Sequence, residues 1–292
     1  MSEAAASCAI VIEGGAMRGI FAAGVLDVFL EQRFQPFDLA IGCSAGACNL
    51  SSYLAGQHGR NRRCYLTQMQ RDEFLDPRRF LRGGHWIDID YLWAAFERED
   101  PLDTAALAAG PTRLIAAATC VETGRAEYLE PTALTMSAVL RASSAVPVLF
   151  RGFIELDGRR FTDGGVTAPV PVEEAHRRGA RRILVIRSRP ADFPGPSRVE
   201  CALAAAALRG YPALAAAFRR YREVYARSAA FIRRPPADCR IVHVAPERHL
   251  RTSRTTRDPR TLEADYQYGR LAGARAIRAW AELDAARPHA AP

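Results

Sequence analysis

The stretch Phe37-Asp38-Leu39-Ala40-Ile41-Gly42-Cys43-Ser44-Ala45-Gly46-Ala47 constrains this chain more than any other. An apolar run able to form a buried strand leads into Gly42-x-Ser44-x-Gly46, and a small-residue segment able to start a helix, 47–55, follows at once. A turn that tight brings backbone against backbone where side chains would collide. Glycines two residues either side of the serine permit it, and the serine hydroxyl is pushed into the open. The pattern predicts a nucleophile elbow made of Gly42, Cys43, Ser44, Ala45 and Gly46. G-x-S-x-G alone arises by accident in roughly one chain in ten of this length, and a plainer role for Ser44 is the N-cap of the following helix. The strand before it and the helix after it favour the nucleophile.

A second strand–loop–helix unit opens the chain. Cys8–Ile12 reads as a buried strand, Glu13-Gly14-Gly15-Ala16-Met17-Arg18-Gly19 as a glycine loop, and 20–32 as a helix apolar on most sides. Such a loop points backbone N–H groups at an anion. It is not a nucleoside triphosphate loop, because Ile20 and Phe21 stand where G-x-x-x-x-G-K-[ST] requires lysine and a hydroxyl. Nor does it give the G-x-G-x-x-G of dinucleotide binding. What remains is an oxyanion hole beside Ser44, with the charge of Arg18 nearby.

Composition narrows the class. With 292 residues, 49% hydrophobic and 25% charged, the chain can bury a sizeable core. It has no run of about 18 apolar residues, and its first seven residues lack the charge of a secretion signal, so a cytoplasmic location is expected. Seven cysteines at irregular spacing suit a reducing compartment, and Cys43 and Cys48 read as small buried fillers rather than thiol nucleophiles. The six histidines (His58, His85, His176, His243, His249 and His289) show no metal-ligand spacing, and no metal or cofactor is expected. Net charge is +8, carried by arginine without a single lysine. Such a surface attracts anions, and peripheral contact with an anionic membrane is expected. No recognised motif supports specific nucleic-acid binding.

Strand, E-G-G-A-M-R-G and helix, followed by G-C-S-A-G, resemble the patatin-like phospholipases, whose signature is a glycine loop ending in Arg/Lys-Gly followed by G-x-S-x-G. The resemblance requires a downstream aspartate before Gly-Gly or Gly-Ala, and Asp163-Gly164-Gly165 is present. The stretch Ala142-Ser143-Ser144-Ala145-Val146-Pro147 is similar to the small, proline-ended segment that the family carries between elbow and aspartate. The resemblance implies an α/β fold, a three-layer α/β/α hydrolase with a mostly parallel sheet. It extends from about Cys8 to Arg187, with a catalytic core at 8–190 and a helical C-terminal part, 191–292, packed on it.

In chemistry, the resemblance implies a Ser44–Asp163 dyad in which the aspartate takes the serine proton, since no histidine lies in a motif. The amides of Gly15 and Ala16 are then the expected oxyanion donors, within the loop Gly14 to Gly19. Ala16 departs from the commoner glycine, which puts tolerance of bulky esters in question. Arg18 either holds the loop or attracts a phosphate head group. The expected reaction is cleavage of fatty acyl esters of phospholipids or lysophospholipids, with a small ester as the simplest substrate. Acyl transfer on the same dyad and non-catalytic lipid or nucleic-acid binding are the alternatives.

Elsewhere, Asp157-Gly158 predicts a hairpin that delivers Asp163, and the arginine-rich stretch 61–82 is expected on the surface, with Asp76 to Phe80 as a solvated helix and turn and a substrate entrance there as the alternative. A strand is expected at 240–244, and a last helix at 261–286 with Gly269 as a point of close approach.

Overall fold

The computed structural model describes residues 8–285; the expectations placed on 1–7, on Ala286 and on His289 lie outside them. Eight strands form one sheet: β1 (Cys8–Ile12), β2 (Leu39–Cys43), β3 (Arg113–Cys120), β4 (Ala126–Leu129), β5 (Ile154–Leu156), β6 (Arg159–Asp163), β7 (Arg182–Ile186) and β8 (Arg240–Val244). The pairings β3–β2, β2–β1, β1–β7 and β7–β8 are all parallel, whereas β4, β5 and β6 join by antiparallel pairing. The sheet is therefore mostly parallel at its centre.

The layers follow from the two-residue period of the strands. Ile10 and Ile12 of β1 pack with Phe21, Val25 and Leu50, on helices Ile20–Glu31 and Ala45–Leu54. Ala9 and Val11 point the other way, to Val172, Ala175, Tyr225 and Ile232 of helices Val172–Arg177 and Pro212–Arg233. Both faces are covered, which is why β1 and β2 are apolar throughout rather than alternating.

The segment expected as a helical part, 191–292, supplies helices Arg198–Ala207, Pro212–Arg233 and Pro259–Ala285, and also β8 beside β7. Its last helix crosses Ile20–Glu31 closely. A Cβ on Gly24 would overlap the Tyr266 carbonyl, and one on Gly269 would overlap that of Phe21. Helix Ile20–Glu31 is thus buried on nearly every side, as its apolar composition anticipates.

One turn repeats a sequence expectation. Asp157 (φ 49°) and Gly158 (φ 70°) form the β5–β6 turn, with both central residues left-handed as a two-residue hairpin requires. The surface expectation for 61–82 fails for Asn61, Cys64, Tyr65, Phe74 and Leu75, which are buried. Arginine content misled there. Arg60, just before the stretch, itself turns inward and donates to Ser52 Oγ at 2.8 Å and to the Asp100 carbonyl at 2.9 Å.

Candidate active site

Ser44 follows β2 directly, with φ 54° and ψ −127°, a conformation that side chains rarely adopt. It stands at the N-cap of helix Ala45–Leu54, yet its side chain makes no capping hydrogen bond, so the plainer role does not account for it. The flanking glycines are sterically required. A Cβ on Gly42 would overlap the Ala47 backbone, and one on Gly46 would lie 2.5 Å from the Ile12 carbonyl oxygen. The Ser44 N–H donates to Ser143 Oγ (2.8 Å), whose hydroxyl donates to the Ala117 carbonyl (2.6 Å). The elbow is thereby tied to β3 through the segment 142–147.

Strand pairing explains how Asp163 arrives. Ala116 and Ala117 each pair with both β2 and β4, so those strands lie on opposite sides of β3. Ala118 and Thr119 each pair with both β4 and β6, so β6 lies on the same side as β2. The two therefore meet end to end. β2 runs parallel to β3 and ends at Cys43 opposite Ala117, while β6 runs antiparallel and ends at Asp163 opposite Ala118. Adjacent register positions on one strand hold Ser44 and Asp163 together, with the serine hydroxyl near enough to the carboxylate to favour its charged form.

Asp163 is buried, and its Oδ1 accepts the Gly165 N–H at 2.7 Å. Burial pushes its pKa up to about 6, against the nearby Ser44 hydroxyl, the hydrogen bond from Gly165 and the charge of Arg254. Gly164 admits the turn, because a Cβ there would overlap the Ala117 carbonyl. Cys43 Sγ sits 3.9 Å from Asp163 Oδ1, and burial, the aspartate's charge next, raises its pKa well above the thiol range. Burial likewise lifts Cys48 to about 11. Neither is poised as a thiolate.

The glycine loop lies against the elbow: a Cβ on Gly14 would sit 3.0 Å from Cys43 Sγ and 3.3 Å from Ser44 Cβ. The Gly14 N–H donates to the Pro169 carbonyl (3.3 Å). Among the described residues the N–H groups of Gly15 and Ala16 donate to no protein acceptor. Ala16 is left-handed (φ 49°), the conformation for which glycine is the ordinary choice. Met17 and Gly19 are buried beneath the loop, and a Cβ on Gly19 would overlap the Tyr65 hydroxyl.

Glu13, which the motif reading passed over, anchors the loop. Its Oε2 accepts the Ser188 N–H (2.6 Å) and hydroxyl (3.2 Å), and its Oε1 accepts the Tyr225 hydroxyl (2.7 Å).

Ser44 and Ala16 stand where two cavities meet. The wide one, about 650 Å³, runs past Arg18, Asp163 and Trp86 to Leu203, Tyr221 and Arg254. The narrow one, about 70 Å³, runs behind the elbow among Tyr65, Phe74, Leu92, Trp93 and Phe96. No histidine lines either cavity, and His243, buried with its pKa lowered to about 4, lies in β8. Among the described residues no three His, Cys, Asp or Glu side chains converge as metal ligands, and no helix is long and apolar enough to cross a membrane. Trp86, Tyr221, Leu203 and Arg254 were not singled out from the sequence. They belong to no motif, and nothing in their local pattern marks them.

Comparison with known proteins bears on the family and the fold. The patatin-like phospholipase family matches residues 10–176, and a domain of unknown function (DUF6363) matches 211–284. The uncharacterized protein YjjU of Escherichia coli (strain K12) is 38% identical over 272 residues, spanning 91% of this chain and 75% of that protein. The crystal structure of VipD from Legionella pneumophila shares the fold, with a TM-score of 0.52 at 12% identity, covering 94% of this chain and 67% of that one. The chain belongs to the patatin-like phospholipase family.

Proposed function

We propose that this protein is a serine acyl hydrolase that cleaves carboxylic esters of fatty acids, most fittingly those of phospholipids or lysophospholipids, with Ser44 as nucleophile and Asp163 as its base. The observation that carries this reading is a strained serine, engaged in no cap, held by adjacent register positions on β3 beside a buried carboxylate whose pKa is raised to about 6. An ordinary aspartate near pKa 4 is a weak base; one near 6 accepts a proton more readily and is still ionised at neutral pH.

Ser44 Oγ attacks the ester carbonyl as its proton passes to Asp163. The carbonyl oxygen, now anionic, is met by the free amides of Gly15 and Ala16, each worth on the order of 3 kcal/mol in the transition state. Collapse expels the alcohol, which takes the proton from Asp163 and leaves acyl-Ser44. Water, deprotonated by Asp163, then releases the acid. The narrow cavity suits an acyl chain, since aromatic and aliphatic side chains make up most of its wall. Contact with an anionic membrane is supported by helix Arg198–Ala207, which carries Arg198 and the exposed Val199 (68%) and Leu203 (67%), the last of these lining the cavity.

The test is labelling by a fluorophosphonate, comparing the native chain with Ser44→Ala, followed by release of fatty acid from mixed phospholipid vesicles. Labelling and release are both expected in the native chain and absent from the variant. A native chain that fails to label would sink the nucleophile assignment. Label without fatty acid would confine the reading to simpler esters, and an acylated alcohol formed on adding an acceptor would redirect it to acyl transfer.

A further inference from the structure

A buried carboxylate stands at the head of the glycine loop. Glu13 is two residues before the free amide of Gly15 and three before that of Ala16, and it is 4% exposed. Left unneutralised, its charge would oppose the negative charge that forms on a carbonyl oxygen held by those amides. Three donors meet it instead. Ser188 gives Oε2 both its N–H (2.6 Å) and its hydroxyl (3.2 Å), and the Tyr225 hydroxyl donates to Oε1 at 2.7 Å. The Glu13 N–H donates to the Ile186 carbonyl (3.0 Å), so backbone and side chain both fasten the residue near the end of β7.

Tyr225 does more than satisfy one oxygen. Its own oxygen accepts Nη2 of Arg187 at 2.7 Å, and Arg187, 1% exposed, forms no ion pair with a carboxylate among the described residues. A buried arginine ordinarily sits on a carboxylate. Here the guanidinium reaches Glu13 through the tyrosine hydroxyl, which accepts from one and donates to the other, and each link polarises the next. Burial, then the charge of Glu13, raises the Tyr225 pKa above that of a free phenol, so the hydroxyl keeps the proton it donates. The ring is set edge-on against Phe193 at 5.4 Å. Ser188 bears on the loop as well, since a Cβ on Gly15 would lie 2.7 Å from its Oγ.

We propose that Tyr225 is a positioning residue for the oxyanion loop: through Glu13 it holds the amides of Gly15 and Ala16 in place, with Arg187 offsetting the Glu13 charge. This rests on the acyl hydrolase reading and gives the C-terminal region a part in it. Of the four residues, Glu13 alone lies in the family match, 10–176. Arg187 and Ser188 follow that match, and Tyr225 lies on helix Pro212–Arg233, inside the 211–284 matched by the domain of unknown function. The loop that meets the substrate is thus braced from outside the phospholipase match, and the C-terminal region serves the chemistry as well as the cavity wall.

The experiment compares the native chain with Tyr225→Phe, which keeps the ring and removes the hydroxyl, on an aryl ester and on a trifluoromethyl ketone of the same chain length. Ser44 Oγ adds to the ketone carbon, the C=O electron pair moves to oxygen, and the serine proton passes to Asp163, so the inhibitor reproduces the oxyanion without a leaving group. In Tyr225→Phe, kcat and ketone affinity should each fall about ten-fold while KM stays within about two-fold. Glu13→Gln should lose about as much, and the double variant no more than either single one, because both break the same chain. Losses that multiply, a change confined to KM, or ketone binding as tight as the native overturn the proposal. Hydrogen exchange reads the loop without the chemistry. The bonded amides of Glu13, Gly14 and Arg18 should exchange about ten-fold faster in Tyr225→Phe, while those of β2 keep their native rates. Loop exchange that does not change, or a rise shared by the whole sheet, refutes the brace and leaves the hydrolase reading intact. Faster exchange confined to the loop of a chain whose native form cleaves no ester upholds the brace and ends the hydrolase reading.

Discussion

One wall of the wide cavity is made by backbone and the other by side chains. On the sheet side, Ser44, Asp163 and the loop at Gly15 and Ala16 hang from strand ends whose glycines leave no room for a Cβ, as at Gly42, Gly46 and Gly164. On the C-terminal side, Leu203, Phe218, Tyr221 and Arg254 reach the cavity from two helices and a turn, and Gly210 between those helices has open space around it. The first wall tolerates almost no change of backbone, whereas the second can exchange side chains without disturbing the sheet. A site built this way keeps its chemistry constant and leaves substrate choice free to vary.

The largest expected effect tests the first wall. Asp163→Asn keeps the shape and the acceptor for the Gly165 N–H but removes the proposed base, so kcat/KM should fall by about 10⁴-fold. The same variant should be more stable. The folded pKa of Asp163, about 6, lies above its ordinary 3.8, so the folded chain holds the proton more tightly than the unfolded one. Stability therefore declines as pH rises from about 4 to 6, and above that the buried charge costs on the order of 2 kcal/mol. Asp163→Asn should raise Tm at pH 8 more than at pH 4. An equal shift at both would remove burial of charge as the cause.

Next in size is a steric contrast between the walls. Gly164→Ala puts a methyl group into the Ala117 carbonyl and should cost about 3 kcal/mol or more, a fall in Tm on the order of 10 °C. Gly210→Ala, with nothing within 4 Å of the added carbon, should stay within about 0.5 kcal/mol. Comparable losses from both would end the distinction drawn here. The pH profile of activity follows in magnitude. With Asp163 as the proposed base, it must be unprotonated to accept the serine proton, and kcat/KM should drop about ten-fold per unit below pH 6 and level off above it. A midpoint near 4 would show that the carboxylate is not desolvated in the working enzyme.

Legibility followed the same division. Gly42-x-Ser44-x-Gly46, Asp163-Gly164-Gly165 and the loop at Gly14 to Gly19 were readable because each records a steric demand that few residues can meet. Gly269 was readable for the same reason, as a helix crossing. Strand β8 was visible as an apolar run, but not its place at the sheet edge, which depends on pairing with β7. The end-to-end meeting of β2 and β6 was also hidden, since it is set by the register of both on β3. Arg254 is one arginine in a chain that has no other base besides histidine, within Arg251-Thr-Ser-Arg254-Thr-Thr-Arg257. Its position over the cavity comes from Arg257 and Asp265 holding the turn, contacts that no spacing encodes.

The smallest expected effect lies at Ala16, where the two walls come closest in kind. Its φ of 49° strains an alanine by about 1 kcal/mol, and glycine would relieve that strain while losing a similar amount to greater freedom in the unfolded chain. Ala16→Gly should therefore leave Tm nearly unchanged. The lost methyl widens the point where the cavities meet beside Ser44. The ratio of kcat/KM for a bulky secondary-alcohol ester to that for a small aryl ester should rise by about three-fold. If the ratio does not move, the methyl sets only the loop's conformation, and selection by size passes to Trp86, Leu203 and Tyr221 across the wide cavity.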